Sequence, residues 1–106
     1  MTDAELLAKL QEIDPRVVQL PNCRPLAVEV PIGFLLAFMG KLRSRPDLRF
    51  IQLLDHLAMD WPEKNEFELV YQLCSIEHDL MLAVHTRISR ESPYALTMSR
   101  LWPIAQ

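Results

Sequence analysis

Three histidines, His56, His78 and His85, and three carboxylates, Asp55, Asp60 and Asp79, are the side chains of this sequence best suited to holding a metal ion or moving a proton. Imidazole and carboxylate are common zinc ligands and common general acids and bases. Their spacing fits none of the recurring ligand motifs, and His78 falls in a short polar break where a hairpin tip is expected. Asp55 and Asp60 lie five residues apart, which in an extended segment puts them on opposite faces and argues against a carboxylate dyad. The histidines therefore read as surface or sheet-face residues and Asp60 as a turn or strand-end carboxylate. A stand-alone enzyme working through His56, Asp60 or His85 would need those side chains to converge on one cleft with perturbed pKa values.

Other chemistry finds less support. No serine or cysteine sits in a nucleophile motif: there is no GxSxG elbow and no Cys/His pairing visible at short range. Gly33 and Gly40 are the only glycines, so there is neither a GxGxxG fingerprint nor a phosphate-cradling loop. Cys23 and Cys74 are far apart and read as free thiols of a reducing compartment. Two cysteines cannot supply four ligands to a cluster or a structural zinc ion. No catalytic, cofactor-binding or metal-binding residue is expected, and no cofactor. The one basic cluster, Lys41, Arg43, Arg45 and Arg49, reads as a solvated helix end, with an acidic partner patch as the alternative. Trp61 and Trp102 are either core residues or partner anchors, since tryptophan is enriched at interface hot spots.

The elements that position these residues centre on the stretch from Phe50 to Ile88. Three apolar runs there are separated by Pro62-Glu63-Lys64-Asn65 and Glu77-His78-Asp79, the pattern of a three-stranded antiparallel meander. Phe67, Leu69, Tyr71 and Leu73 alternate on one face, against a mixed face of Glu66, Glu68, Val70, Gln72 and Cys74. Leu80, Leu82, Val84, Thr86 and Ile88 alternate in the next run, against Met81, Ala83, His85 and Arg87. One apolar and one semi-polar face suit a sheet covered by helices on one side. The first strand is expected from about His56 to Trp61, preceded by a short helical turn over Phe50 to Leu54.

Upstream, Thr2 and Glu5 form a capping box that opens a helix from Asp3 to about Ile13, striped by Leu6, Leu10 and Ile13 and widened by Leu7. Asp14-Pro15 ends it. Val17–Leu20 and Leu26–Val30 read as short strands around a Pro21–Pro25 turn, and the prolines put at least one strand at an edge. Pro31 suits the first turn of a second helix, Ile32 to Arg45, with Leu35, Phe38, Met39 and Leu42 facing the core. Close approach of this helix to the sheet would account for Gly33 and Gly40. Ser92-Pro93 would open a third helix carrying Tyr94 to Leu101. The expected architecture is a single α+β domain over residues 1–106: two layers, with an antiparallel or mixed sheet and helices on one face.

Length, charge and hydropathy agree. The chain has 106 residues, half of them hydrophobic, and a net charge of −3. That is enough for one modest core, and it leaves no basic field for nucleic acid or anionic lipid. No apolar run approaches the roughly 20 residues that span a bilayer, and the acidic Met1–Glu5 start lacks a signal-peptide charge pattern.

In order along the chain, the motifs resemble those of the C subunit of bacterial NADH:quinone oxidoreductase (respiratory complex I), whose relatives serve membrane-bound hydrogenases and formate hydrogenlyase. That family carries a phenylalanine, a leucine and then Asp-Leu-x-x-x-Asp followed by an aromatic residue. Phe50, Leu54, Asp55, Asp60 and Trp61 match, with His56 intervening. Its following strand is matched by Glu68, Val70, Tyr71, Leu73 and Ser75. Its Leu-Trp-Pro ending is matched by Ser99, Leu101, Trp102, Pro103 and Ala105, with Thr97 at the first serine.

The resemblance implies a non-catalytic subunit that holds no cofactor and buttresses the large quinone-site subunit beside iron–sulfur subunits. It would be cytoplasmic and attached to the inner face of the cell membrane through its complex. Asp60, Trp61, Leu101, Trp102 and Pro103 are the docking residues it points to. The family's further segment, ending in Asp-x-x-Gly-Ile, follows the Trp-Pro motif and is not reached by Gln106, so the resemblance is to the N-terminal domain without that docking segment. A free homodimeric adaptor using an exposed strand edge or the Trp102 tail is the alternative from another class.

Overall fold

The Thr2 hydroxyl accepts a hydrogen bond from the Glu5 amide at 3.2 Å while the Glu5 carboxylate accepts from the Thr2 amide at 3.0 Å, closing the capping box that starts the first helix. In this computed structural model, which describes residues 1–89, that helix (α1) spans Asp3–Ile13 and buries Leu6 and Leu10. Two short strands follow, β1 (Val18–Gln19) and β2 (Ala27–Glu29). The second helix, α2, spans Ile32–Ser44. Three ten-residue strands complete the described chain: β3 (Gln52–Trp61), β4 (Glu66–Ser75) and β5 (Leu80–Ser89). A short 3₁₀ turn over Pro62–Lys64 joins β3 to β4, closed by Asn65 in the left-handed region at φ 55°. Asp79, at φ 54°, does the same before β5. Asparagine and aspartate tolerate that region better than other non-glycine residues.

The sheet order is β1-β2-β5-β4-β3. The meander is antiparallel, β2 lies parallel to β5, and β1 pairs antiparallel to β2 at the edge. The fold is thus α+β with an open mixed sheet. α2 carries the chain from β2 across the sheet towards β3, and its stripe of Leu35, Phe38, Met39 and Leu42 is fully buried. These side chains meet Leu69, Tyr71, Leu73, Leu82 and Val84 in one core with Leu6 and Leu10 of α1. Thr86, the one hydroxyl on this face of β5, is buried and donates to the Val30 carbonyl at 2.8 Å, so it imposes no unsatisfied polar group.

Three expectations are corrected. Phe50 to Leu54 makes no helical turn: the Phe50 amide donates to the Leu42 carbonyl at 2.8 Å, the ring is fully buried, and strand pairing begins at Gln52. The connector folds back onto the end of α2 instead of coiling onward. Gly33 and Gly40 do not mark close approach, because a Cβ at either position would meet nothing within 4 Å. Seven residues apart, they share the outer face of α2, and the sheet is met by the leucine and phenylalanine stripe. Pro31 is the residue preceding the helix, at φ −64° and ψ 143°, and not a member of its first turn. The expected third helix from Ser92 lies outside the described residues.

A connector network ties the layers. Asp47 accepts from Arg45 at 2.9 and 3.1 Å and from Lys9 of α1 at 2.9 Å. These bonds, from Arg45 first and then Lys9, hold the Asp47 carboxyl down at about 2. The His78 ring donates to the Pro46 carbonyl at 2.7 Å, and Arg49 lies 3.7 Å from Glu77, so the β4–β5 tip is moored to the same connector. Arg45 and Arg49 of the basic cluster are therefore locally paired.

Candidate docking face

The chemistry of the sheet is decided by a one-residue irregularity in β3. Leu53 pairs with Leu73 and Asp55 with Gln72, so Leu54 is an extra residue. Beyond it, His56, Ala58 and Asp60 share the helix-side face with Tyr71, Leu69 and Phe67, and Asp55, Leu57, Met59 and Trp61 turn to the opposite, open face. The ring of His56 stacks on Tyr71 at 4.9 Å between centroids and 8° between planes. Burial pushes the Tyr71 hydroxyl up to about 12.

On the open face, neighbouring strands bring Trp61, Glu68 and His85 together. The Trp61 indole Nε1 donates to one Glu68 oxygen at 3.1 Å, and His85 Nδ1 donates to the other at 2.7 Å. Glu68 is only 8% exposed. Burial pushes its carboxyl up, but the bonds from His85 and Trp61, with the charges of His85 and Arg87, outweigh that and leave it below the usual carboxylate range. Arg87 lies 3.5 Å from Glu29 on the same face. Beside this trio runs a groove of about 380 Å³ between the Asn22–Pro25 turn and the strands, with Leu57, Met59, Val70 and Ala83 in its wall. Leu57, Met59, Trp61, Met81 and Val18 are large apolar residues left exposed on this face. An apolar stretch with polar anchors at its margin is the makeup of a docking surface.

The sequence-based candidates are placed as follows. Asp60 and Trp61 are adjacent and point to opposite faces, so they do not form one site. His56 and Asp60 lie on the helix side and His85 on the open side, so the cleft required by a His/Asp enzyme does not form. His78 sits at the β4–β5 turn, as expected. Among the described residues no group of three or more His, Cys, Asp and Glu side chains could hold a metal ion. Leu101, Trp102 and Pro103 lie outside the described residues. Sequence reasoning missed the Glu68–His85 pair. The signal was present, because a turn over Ile76–Asp79 sets Glu68 opposite Arg87 and Val70 opposite His85, which makes Glu68 and His85 diagonal neighbours.

Residues 28–106, from β2 onwards, match the family described as "Respiratory-chain NADH dehydrogenase, 30 Kd subunit". The chain belongs to that family. It is similar to the C subunit of the NADH-quinone oxidoreductase of Moorella thermoacetica, with 30% identity over 99 residues covering 93% of this chain and 66% of that protein. It is also similar to the corresponding protein of Rickettsia bellii, 37% identical over 75 residues, covering 70% of this chain and 38% of that protein. The chain thus spans from over a third to about two thirds of these relatives. Among solved structures, a chain from the membrane-bound sulfane sulfur reductase, an archaeal respiratory membrane complex, superposes with a TM-score of 0.72 at 25% identity, covering 96% of this chain and 60% of that one. The family is therefore one of respiratory complex I and electron transport subunits. Among the described residues no helix is long and apolar enough to cross a membrane.

Proposed function

We propose that this chain is a non-catalytic structural subunit of the peripheral arm of an NADH:quinone oxidoreductase-type complex, where it supports the large quinone-site subunit during electron transfer from NADH to quinone. The observation that carries the reading is the family match, which runs through β2, α2 and the whole meander. Two features of the molecule support it. The titratable residues that an enzyme would use are divided between two faces of the sheet. Val18, Leu57, Met59, Trp61 and Met81 are exposed apolar residues of the open face, where a neighbouring subunit would cover them. In this reading the chain lies on the cytoplasmic side, peripheral to the membrane through its complex, with the large subunit and the iron–sulfur subunits as partners. Asp60 and Trp61 then act separately, Trp61 on the docking face and Asp60 on the helix side, and Leu101, Trp102 and Pro103 are further docking residues.

A second reading is the equivalent subunit of a membrane-bound hydrogenase or formate hydrogenlyase. The fold match to a chain of a sulfane sulfur reductase complex favours keeping it, because that respiratory complex is named for a different substrate. Affinity purification of a tagged copy from its native cells in mild detergent, with mass spectrometry of the recovered proteins, separates the readings. NADH-binding flavoprotein subunits together with the large and iron–sulfur subunits establish the first. A nickel-site large subunit establishes the second. A folded monomer with no companions overturns both.

A further inference from the structure

The two edges of the sheet are built in opposite ways. The β1 edge is two residues long and is followed at once by Leu20 and Pro21. It offers little backbone to another chain. The β3 edge is ten residues long, roughly 33 Å at about 3.3 Å per residue. Among the described residues no strand pairs with its outer side. β3 contains no lysine, arginine or proline, and its charged residues are the two carboxylates Asp55 and Asp60. Its single irregularity, at Leu54, lies near its start and leaves Asp55–Trp61 in continuous register.

Charge is also concentrated there. From Gln52 to Ser75 the hairpin carries Asp55, Asp60, Glu63, Glu66 and Glu68 against Lys64 alone, a balance of −4 where the whole chain stands at −3. The rest of the molecule is therefore close to neutral. Leu57 and Met59 stand exposed on the open face between Asp55 and the Trp61–Glu68 pair.

The geometry points to β3 as a strand-accepting edge. It takes an extended segment of another subunit of the same complex, with lysine or arginine at the positions facing the acidic hairpin and apolar side chains over Leu57 and Met59. The backbone ladder supplies affinity, and the alternating side chains supply specificity. A second copy of this chain is the wrong occupant, because edge-to-edge pairing would bring together two hairpins of −4 each. This inference rests on the assembly reading above and adds where on the chain the partner binds.

The test is residue-resolved hydrogen exchange on the intact, affinity-purified complex. In a strand paired on one side only, alternate amides face outward and exchange fast. With a partner strand in place, every amide from Asp55 to Trp61 slows, the outward ones by at least about tenfold. Purification of complexes from cells carrying Met59→Lys or Ile76→Lys gives a second readout. Met59→Lys should lower recovery of companion subunits at least about tenfold, and Ile76→Lys, at an exposed position in the β4–β5 turn, should leave it unchanged. A complex that forms while alternate β3 amides still exchange fast overturns the strand-accepting edge and leaves the assembly reading standing. Equal loss from both substitutions, or pairing of β3 with a second copy, also overturns it. A wild-type chain that recovers no companions overturns both.

Discussion

The two faces of the same sheet are held together by different means and meet water differently. On the helix side, Leu69, Tyr71, Leu73, Leu82 and Val84 are buried beneath α1 and α2, and the buried Thr86 hydroxyl donates to the Val30 carbonyl. Among the described residues no helix lies over the strands on the open side. There Glu68 is buried by its neighbours and held by two side-chain donors, while Leu57, Met59 and Trp61 remain exposed. One face derives its stability from apolar area removed from water, which has no direction. The other depends on a few directed bonds, and it leaves apolar area for a partner to cover. A sheet can thus keep one face for folding and the other for assembly, because successive residues of a strand point to opposite sides.

Substitutions chosen from each face test this division. The largest effect belongs to the helix side: Leu82→Ala should cost about 2–5 kcal/mol, read as a lower denaturant midpoint at unchanged slope, because α2 cannot settle into the space left. Next comes the open side. Glu68→Ala removes the acceptor of both Trp61 and His85 and should cost about 1–3 kcal/mol. If it costs as much as Leu82→Ala, the open face is a second core and the comparison fails.

The outer face of α2 should respond with opposite sign. Gly40→Ala adds a methyl group where nothing stands within 4 Å, so it should stabilise by about 0.5–1 kcal/mol, seen as a raised midpoint. The smallest effect concerns the connector. Asp47 is held at about 2, below its ordinary 3.8, so the stability it contributes is complete above pH 4 and is lost as pH falls towards 2. The pair is partly exposed, so the loss should stay below about 1 kcal/mol. Asp47→Asn should flatten the thermal-midpoint profile across that window, lowering the midpoint slightly near neutrality and leaving it unchanged at the acid end.

Much of this arrangement is legible in local sequence. Thr2 and Glu5 start α1, the Leu35–Leu42 stripe orients α2, and the polar breaks at Pro62–Asn65 and Glu77–Asp79 divide the meander. Each of these signals acts within one or two turns of chain, and so propensity and period reveal it. The ordered motifs around Asp55, Asp60 and Trp61 and along β4 likewise carried the family, and residues 28–106 bear it out. The Gly33 and Gly40 reading failed because a glycine in a helix signals missing bulk without saying on which side the bulk is missing.

The docking face needed contacts between distant residues. Nothing near Leu54 announces an extra residue; the register of β4 opposite imposes it, and it alone turns Leu57, Met59 and Trp61 to the open side. The Glu68 trio joins three strands, and the contrast between a two-residue edge and a ten-residue edge follows from the order in which the strands assemble. Most of the helices and strands of the described residues, and the family to which the chain belongs, could be read before any fold was known, since both are written in short-range pattern. Which face each side chain occupies and which edge stays open were settled by the folded sheet, because register is fixed by hydrogen-bonded partners elsewhere in the chain.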